Sequence, residues 1–325
     1  MTLESLRDAW NSFFFAEQSP APIASFRIVY GVLVIANLLL LRPDWLAWYG
    51  NHAWVSLQTM QSIETGRRLN LFTVIPQTDG WINALFWMFL ASAILLTIGF
   101  LTRVNSLIVF LCLASIQQRN LFILHGGDTF MRVAGFFLIF APAGAAFSID
   151  QRFGWFRWSR IWRGKEGPLP RLYSPWAQRM IQIQLALVYF SAFCWKMKGQ
   201  PWIHGTALFY VYHLNDLRRF PVPAWFVHPT VLKLGTWFAL VFEFSMGVLI
   251  WVKKLRYPLL VVGVVFHLWL EYSLNIQLFQ WEILSAYILF VDPADLAWAW
   301  NWIKGNKYHG TERNGGIPGL IDMNS

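Results

Sequence analysis

Residues 81–101 read WINALFWMFLASAILLTIGFL, a run of 21 residues without a charged side chain. A helix needs roughly 20 mostly apolar residues to cross the hydrocarbon core of a bilayer, so this run predicts a membrane-spanning helix. Seven further apolar runs predict spans at residues 24–41, 104–119, 131–149, 179–195, 232–252, 257–275 and 276–291. The last two are poorly separated, and one of them could be re-entrant. The sequence therefore predicts an all-α fold, a multipass transmembrane helix bundle of about eight spans.

The composition agrees with a membrane protein and argues against a soluble enzyme. Of the 325 residues, 56% are hydrophobic and 13% are charged, whereas an average soluble domain carries roughly 25% charged residues. The net charge of +9 lies in loops between apolar runs. The predicted partners of this charge are therefore membrane lipids, including anionic headgroups, and not nucleic acid. The two cysteines, Cys112 and Cys194, fall inside apolar runs, which excludes a disulfide framework.

The lysines and arginines of the loops predict the orientation of the chain. With eight spans and a cytoplasmic N-terminus, the cytoplasmic side carries fifteen of these residues and the outer side ten, while Arg27 lies inside the first span. This bias predicts cytoplasmic N- and C-termini. The first residues show no cleavable signal peptide, so we expect the protein to stay in the first membrane that it enters, the cell (inner) membrane.

Residues 21–292 form the predicted transmembrane domain. Residues 1–20 place apolar side chains at helical spacing, which predicts an amphipathic segment that lies in the membrane interface. Residues 150–175 interleave tryptophans with arginines on the cytoplasmic side, which predicts either a second interfacial helix or an ordinary loop with aromatic anchors. Residues 293–325 are rich in glycine, asparagine and charge, and are expected to form a flexible C-terminal tail.

Ionisable residues inside the spans are the first candidates for chemistry, because charge in a bilayer is costly and rarely persists without a partner or a task. These residues are Arg27, Glu243, His267, Glu271 and Glu282. His267 and Glu271 are four residues apart and share a helix face. They form either a proton-handling or ligand-orienting pair or a structural hydrogen bond between helices. For Arg27, snorkelling or packing is the alternative to ligand binding.

Two polar segments adjoin the spans. The segment HGGDT at residues 125–129 precedes the fourth span. Asp128 can cap that helix, and the two glycines permit a ligand to approach the backbone closely. In the segment KMKGQPWIHG at residues 196–205, Lys196 either snorkels or, if desolvated, acts as a base. The seven histidines form no two-histidine motif at ligand spacing, which argues against a metal site.

The eight-span topology gathers these residues on one side of the membrane. Those at the outer interface or in the outward halves of spans are His125, Asp128, Lys196, His204, His267, Glu271 and Glu282. Such a convergence predicts an active or binding cavity that opens outward.

Several segments together resemble a known family. In chain order they are SFRIVYG at 25–31, GFLTR at 99–103, HGGD at 125–128 with Arg132, SID at 148–150, the run from Lys196 through Gly199 and Trp202 to Ala207, Phe242-Glu243, and FHL at 266–268. This ordered set resembles the horizontally transferred transmembrane domain (HTTM) family, which includes the membrane portion of vitamin K-dependent gamma-carboxylase.

The carboxylase end of the family implies a definite chemistry. A lysine base deprotonates a vitamin K-type quinol, oxygenation of the quinol generates a base that removes the gamma proton of a glutamate, and CO2 then adds. Lys196, in its Lys–Gly–Trp–Gly context, matches the family's lysine. The resemblance thus implies a quinone as the cofactor and an exported peptide or another membrane protein as a partner.

Two functional hypotheses follow. The first is an enzyme or enzyme-like factor, related to gamma-carboxylase, that acts at the outer face on a quinone-type lipid or an exported peptide. The second is a non-catalytic membrane accessory subunit for a secreted peptide or a partner membrane protein. In the first hypothesis the catalytic residues are Lys196, His267 and Glu271, and the binding residues are His125, Asp128, Trp202, Glu243 and Arg27. A transporter is the weakest hypothesis, because no inverted repeat is visible.

Overall fold

The computed structural model describes residues 2–63, 70–153 and 172–303. Apart from two isolated bridges, the regular structure of these residues is helical, which confirms the predicted all-α fold. The helices are α1 (Leu3–Phe15), α2 (Ala21–Leu41), α3 (Trp45–Tyr49), α4 (Leu57–Ile63), α5 (Asp79–Ile98), α6 (Thr102–Arg119), α7 (Gly126–Phe140), α8 (Ile149–Phe153), α9 (Trp176–Lys196), α10 (Gln200–Ile203), α11 (Ala207–His213), α12 (Pro229–Val248), α13 (Lys253–Ser273), α14 (Phe279–Tyr287) and α15 (Pro293–Ile303). Short 3-10 turns lie at Leu71–Thr73, Asn215–Leu217, Leu249–Trp251 and Ile288–Phe290.

Each predicted span coincides with a helix, namely α2, α5, α6, α7, α9, α12, α13 or α14. Within the described residues, four helices are long and apolar enough to cross a membrane: Ala21–Leu41, Asp79–Ile98, Pro229–Trp251 and Lys253–Ser273. The chain is therefore a membrane protein by its apolar helices, while the count of eight spans stays a prediction.

The fourth predicted span ends earlier than expected. The sequence predicts a span at residues 131–149, but α7 ends at Phe140 and the backbone of Ala141 is extended. Pro142 explains this end, because proline lacks an N–H group and disfavours helical backbone at the residue before it.

The two ends of the chain also differ in how they match the prediction. Helix α1 forms within the predicted N-terminal amphipathic segment, with Leu3 and Trp10 exposed; its position in a membrane interface stays a prediction. Helix α15 occupies the start of the predicted flexible tail and packs against α2, while the flexibility of the tail stays a prediction. Asp295 in its first turn favours the helix start. The tail beyond 303, and residues 154–171 of the basic tryptophan-rich segment, lie outside the described residues.

Helix α2 lies at the centre of the packing, in contact with α5, α14 and α15. Two glycines allow this close approach. A Cβ at Gly31 would collide with Thr97 of α5, and a Cβ at Gly135 of α7 would collide with the hydroxyl of Tyr30. That hydroxyl donates a hydrogen bond of 3.1 Å to the carbonyl of Met131.

The long helices alternate in direction and so define two ends of the bundle. We call one the loop-rich end; it holds the connections 42–78, 120–125, 197–228 and 274–278. The backbone N–H of Asn275 donates to the carbonyl of Leu217 over 2.7 Å and joins two of them. The opposite end, which we call the terminal end, holds the N-terminal segment and α15.

Arg27 of α2 closes the terminal end. Its side chain is fully buried. Nη1 donates to the carbonyl of Ala143 over 2.9 Å, and Nη2 donates to the carbonyls of Phe147 over 2.5 Å and Thr97 over 3.4 Å. Gly99 adopts a φ of +73°, and a Cβ there would collide with the guanidinium. Arg27 therefore packs among backbone acceptors and does not snorkel.

Asp150 holds the same end from the other side. Its carboxylate accepts hydrogen bonds from the backbone N–H groups of Leu101 and Thr102, over 2.8 and 2.7 Å, and from the Thr102 hydroxyl over 2.6 Å. It also acts electrostatically on Arg27. The turn between α5 and α6 is thus fixed by groups that the family-like segments at 25–31, 99–103 and 148–150 supply.

Replacement of Arg27 by methionine is expected to destabilise the protein by at least about 2 kcal/mol, because buried carbonyls lose their donors. Thermal unfolding of the purified protein in detergent, followed by tryptophan fluorescence, measures this loss. The matched control is Arg42→Met, because Arg42 is exposed at the loop-rich end and donates to Asn83. Equal losses for the two variants would contradict the role given to Arg27.

Candidate functional site

His267 of α13 is the centre of a buried hydrogen-bonded cluster. Its Nε2 lies 2.5 Å from the Tyr189 hydroxyl, and its Nδ1 lies 2.5 Å from Oε1 of Gln280. The Tyr189 hydroxyl lies 2.6 Å from that of Tyr287. Gly263 makes room for this cluster, since a Cβ there would collide with the Tyr287 hydroxyl.

The chemistry of the partners fixes the direction of the hydrogen bonds. An amide oxygen only accepts, so Nδ1 of His267 carries the proton and donates to Gln280. Nε2 of the neutral ring then accepts from Tyr189, whose oxygen accepts from Tyr287. The cluster is therefore a continuous hydrogen-bonded chain of two hydroxyls, an imidazole and an amide.

Lys196 ends α9 and forms an ion pair with Glu243 of α12. Glu243 is buried, and its Oε2 has no hydrogen-bond partner among the described residues. The Lys196 ammonium also lies 4.7 Å from the ring centroid of Trp202, which is cation–π distance. Three residues predicted from the sequence, Lys196, Glu243 and Trp202, thus meet.

The Lys196 pair lies beside the His267 cluster. Tyr189 and Lys196 are seven residues apart on α9, so they share one helix face about 10 Å apart along the axis. Lys196 acts electrostatically on the His267 ring, and Glu243 acts on the Tyr189 hydroxyl. The ring of Phe242 packs against Tyr189 with centroids 5.7 Å apart. We refer to Lys196, Glu243, Tyr189 and His267 as the Lys196–His267 site.

The chain breaks its helix directly after Lys196. Gly199 and Pro201 follow, and the short helices α10 and α11 run on beside the first half of α12. Trp237 Nε1 donates to the carbonyl of Ile203 over 3.1 Å, which holds α10 against α12. Lys196 therefore lies at a helix terminus beside the middle of α12.

Glu271 has a different partner from the one that its spacing suggests. It forms an ion pair with Arg219, which also donates its backbone N–H to the carbonyl of Ser273 over 3.2 Å. The pair ties the connection after α11 to the end of α13. His267 and Glu271 thus share a helix but are held by separate partners.

His125 and Asp128 form a capping box at the start of α7. The N–H of Gly127 donates to His125 Nδ1 over 3.1 Å, and the N–H of His125 donates to Asp128 Oδ2 over 2.9 Å. Glu282 of α14 faces them, with its Oε2 3.9 Å from His125 Nδ1. The three line a pocket of about 260 Å³ at the loop-rich end. Burial raises the pKa of Tyr49, which also lines this pocket, so its phenol stays neutral.

Several functional candidates were not visible as such in the sequence. Tyr189, Tyr287, Gln280 and Gln117 are neutral, so a search for ionisable residues in spans passes over them. The spacing of Tyr189 and Lys196 is the one sequence signal that links a neutral residue to the predicted site.

Comparisons with known proteins agree with the fold. The family model described as HTTM domain matches residues 15–295. The chain is 23% identical to "Uncharacterized protein YitO" of Bacillus subtilis (strain 168) over 250 residues, which cover 74% of this chain and 78% of that protein. No solved structure matches the chain.

A double-mutant cycle of Lys196→Met and Glu243→Gln tests whether the ion pair couples α9 to α12. Each single variant leaves one charge without its partner, so the coupling energy is expected to be about 1–3 kcal/mol in thermal or denaturant unfolding. Lys198→Met paired with Glu243→Gln is the matched control, because Lys198 lies over Trp195. Additive effects of Lys196→Met and Glu243→Gln would show that the pair carries no coupling.

Proposed function

Since the chain belongs to the HTTM domain family, we propose that it is a membrane-embedded enzyme that performs acid–base chemistry on a quinone-type lipid at the outer face. The Lys196–His267 site carries this chemistry. An exported peptide is the alternative substrate.

The observation that carries the proposal is the Lys196–Glu243 pair beside the hydrogen-bonded cluster of His267. Ionisable residues inside a membrane bundle are costly unless they are paired or used. A lysine and a carboxylate that share a proton in a low-dielectric site can rearrange to a neutral amine and a neutral acid. The neutral amine is the form that a base needs.

The proposed step is a proton transfer from the quinol to a residue of this chain. The neutral Lys196 amine takes the proton of a quinol hydroxyl, which leaves a quinolate and an ammonium opposite Glu243. The proton then rests on Lys196 beside Glu243, and the hydrogen-bonded cluster of Tyr189 and His267 lies next to this pair. The resemblance to the carboxylases supports Lys196 as the base, because it matches the family's lysine.

A second function is favoured by a different observation. Glu271 is paired with Arg219, and Arg27 is held by backbone carbonyls. Charges that each cross-link two segments are what a non-catalytic accessory subunit needs to stay rigid while it holds a secreted peptide or a partner membrane protein.

Native mass spectrometry of the protein purified in mild detergent tests the first function. We expect a retained quinone in the wild type and its loss in Lys196→Met, because the variant removes the group that faces the quinol oxygen. Lys196→Arg is not expected to restore turnover of a short-chain quinol, since arginine cannot serve as a base near neutral pH. Lys198→Met is the control and keeps the lipid.

The enzyme proposal would be overturned if the wild type retains no quinone and if Lys196→Met turns over a short-chain quinol at the wild-type rate. A co-purified peptide or membrane protein in its place would favour the accessory function.

We further propose that the protein lies in the cell membrane with both termini in the cytoplasm. The proposal is supported by the position of α1 and α15 at one end of the bundle and by the excess of loop lysines and arginines on that side. Reporter fusions after residues 60 and 215 are expected outside the cytoplasm, and fusions after residues 100 and 255 inside it. The same compartment for 60 and 100 would contradict this topology.

A further inference from the structure

A second group of polar side chains lies at the loop-rich end, outside the Lys196–His267 site. It consists of His125 and Asp128 from the start of α7 and Glu282 from α14. One donor atom of each lies within 4.8 Å of the others. His125 Nε2 lies 3.6 Å from Asp128 Oδ2.

The acceptors of this group are only partly used by the protein. Glu282 is 3% exposed, and its Oε2, which points at His125, has no hydrogen-bond partner among the described residues. Gln117 of α6 lines the same pocket and is 2% exposed; its amide nitrogen donates to the carbonyl of Asp128 over 2.8 Å, but its Oε1 is likewise without a partner there. Buried polar atoms are normally satisfied, so two unpartnered oxygens in one pocket offer binding atoms to a hydrogen-bond donor or a cation.

The charges of the pocket favour a cation as its ligand. Asp128 acts electrostatically on Glu282, and two carboxylates in one partly buried pocket repel each other. The orphaned atoms are oxygens, which accept hydrogen bonds or bind a cation but donate nothing when ionised. A cation would satisfy Glu282 Oε2 and relieve the repulsion in one step.

Glycine keeps the group open at its centre. A Cβ at Gly127 would collide with Oε2 of Glu282 and with the His125 ring. Any other residue at this position would push the carboxylate away from the histidine. The glycine is therefore required for the approach of Glu282 to the two residues of α7.

We propose that His125, Asp128 and Glu282 bind a divalent transition-metal cation, with Gln117 Oε1 as a further oxygen donor. One imidazole with two carboxylates suits zinc or manganese, whereas an all-oxygen set would suit magnesium or calcium. The two carboxylates balance the charge of the cation. This proposal does not depend on the function given to the Lys196–His267 site.

The three donor atoms need to move only slightly to bind a cation. A cation at the centre of three donors 4.8 Å apart would lie roughly 2.8 Å from each, so each donor moves by less than about 1 Å to reach a zinc ligand distance. When the His125 ring binds the metal, its Nδ1 no longer accepts from the N–H of Gly127, so this hydrogen bond is lost in the bound state. His125 and Asp128 remain partly exposed, 30% and 14% by side chain, so a cation can enter from solvent.

The test uses the full-length protein in detergent, stripped with a chelator and then loaded with zinc or manganese alone. We expect one equivalent of metal by elemental analysis after gel filtration and a rise in the unfolding temperature. Glu282→Gln is expected to weaken binding by at least about tenfold. His125→Asn is the second variant, because asparagine still caps the helix and thereby separates loss of the metal from loss of the fold.

Glu271→Gln is the matched control, since it removes a carboxylate at the same end that is paired with Arg219; it should bind metal like the wild type. Wild-type affinity in both Glu282→Gln and His125→Asn would overturn the proposal. The absence of stoichiometric zinc or manganese in a folded wild type would also overturn it. Binding of magnesium or calcium alone would contradict the assignment to a transition metal. Quinone retention in the metal-free protein distinguishes failure here from failure of the proposed enzyme function.

Discussion

A guanidinium that is sealed away from water must find its acceptors in the protein, and Arg27 finds them in three backbone carbonyls. Those carbonyls belong to the end of α5 and to the connection after α7, which a helix would otherwise have consumed in its own hydrogen bonds. The early end of α7 at Pro142 is therefore useful, because it frees carbonyls for the arginine. The terminal end of the bundle depends on these three hydrogen bonds, which join α2 to the end of α5 and to the connection after α7.

Buried charged side chains are stabilised in two different ways in this bundle. At the terminal end, backbone groups fix the side chains of Arg27 and Asp150. Elsewhere in the bundle side chains pair with side chains, as Lys196 does with Glu243 and Arg219 with Glu271. Glu243, Glu271 and Glu282 each keep one buried carboxylate oxygen without a partner among the described residues. Unsatisfied acceptors are a cost in stability that a purely structural bundle has no reason to retain. We therefore place ligands and chemistry beside these three carboxylates.

The sequence predicted the parts of this protein that are local. Apolar runs located eight of the described helices, because a run of apolar residues is a signal that lies within the helix itself. They missed the end of α7, which one proline determines, and the helix at residues 293–303. The meeting of Lys196, Glu243 and Trp202 could be suspected from ionisable residues and a family resemblance. The partners of His267 could not, because Tyr189 and Gln280 are neutral, and Glu282 lies too far along the chain from Asp128 for any spacing rule.

The break in the chain after Lys196 has an electrostatic consequence. A helix concentrates partial negative charge on the free carbonyls of its last turn, and Lys196 stands on that turn. The ammonium is thus stabilised twice, by Glu243 and by the end of its own helix. The short helices α10 and α11 rest on α12, the helix that also carries Glu243, so one helix positions both the chain after this turn and the ion-pair partner of Lys196.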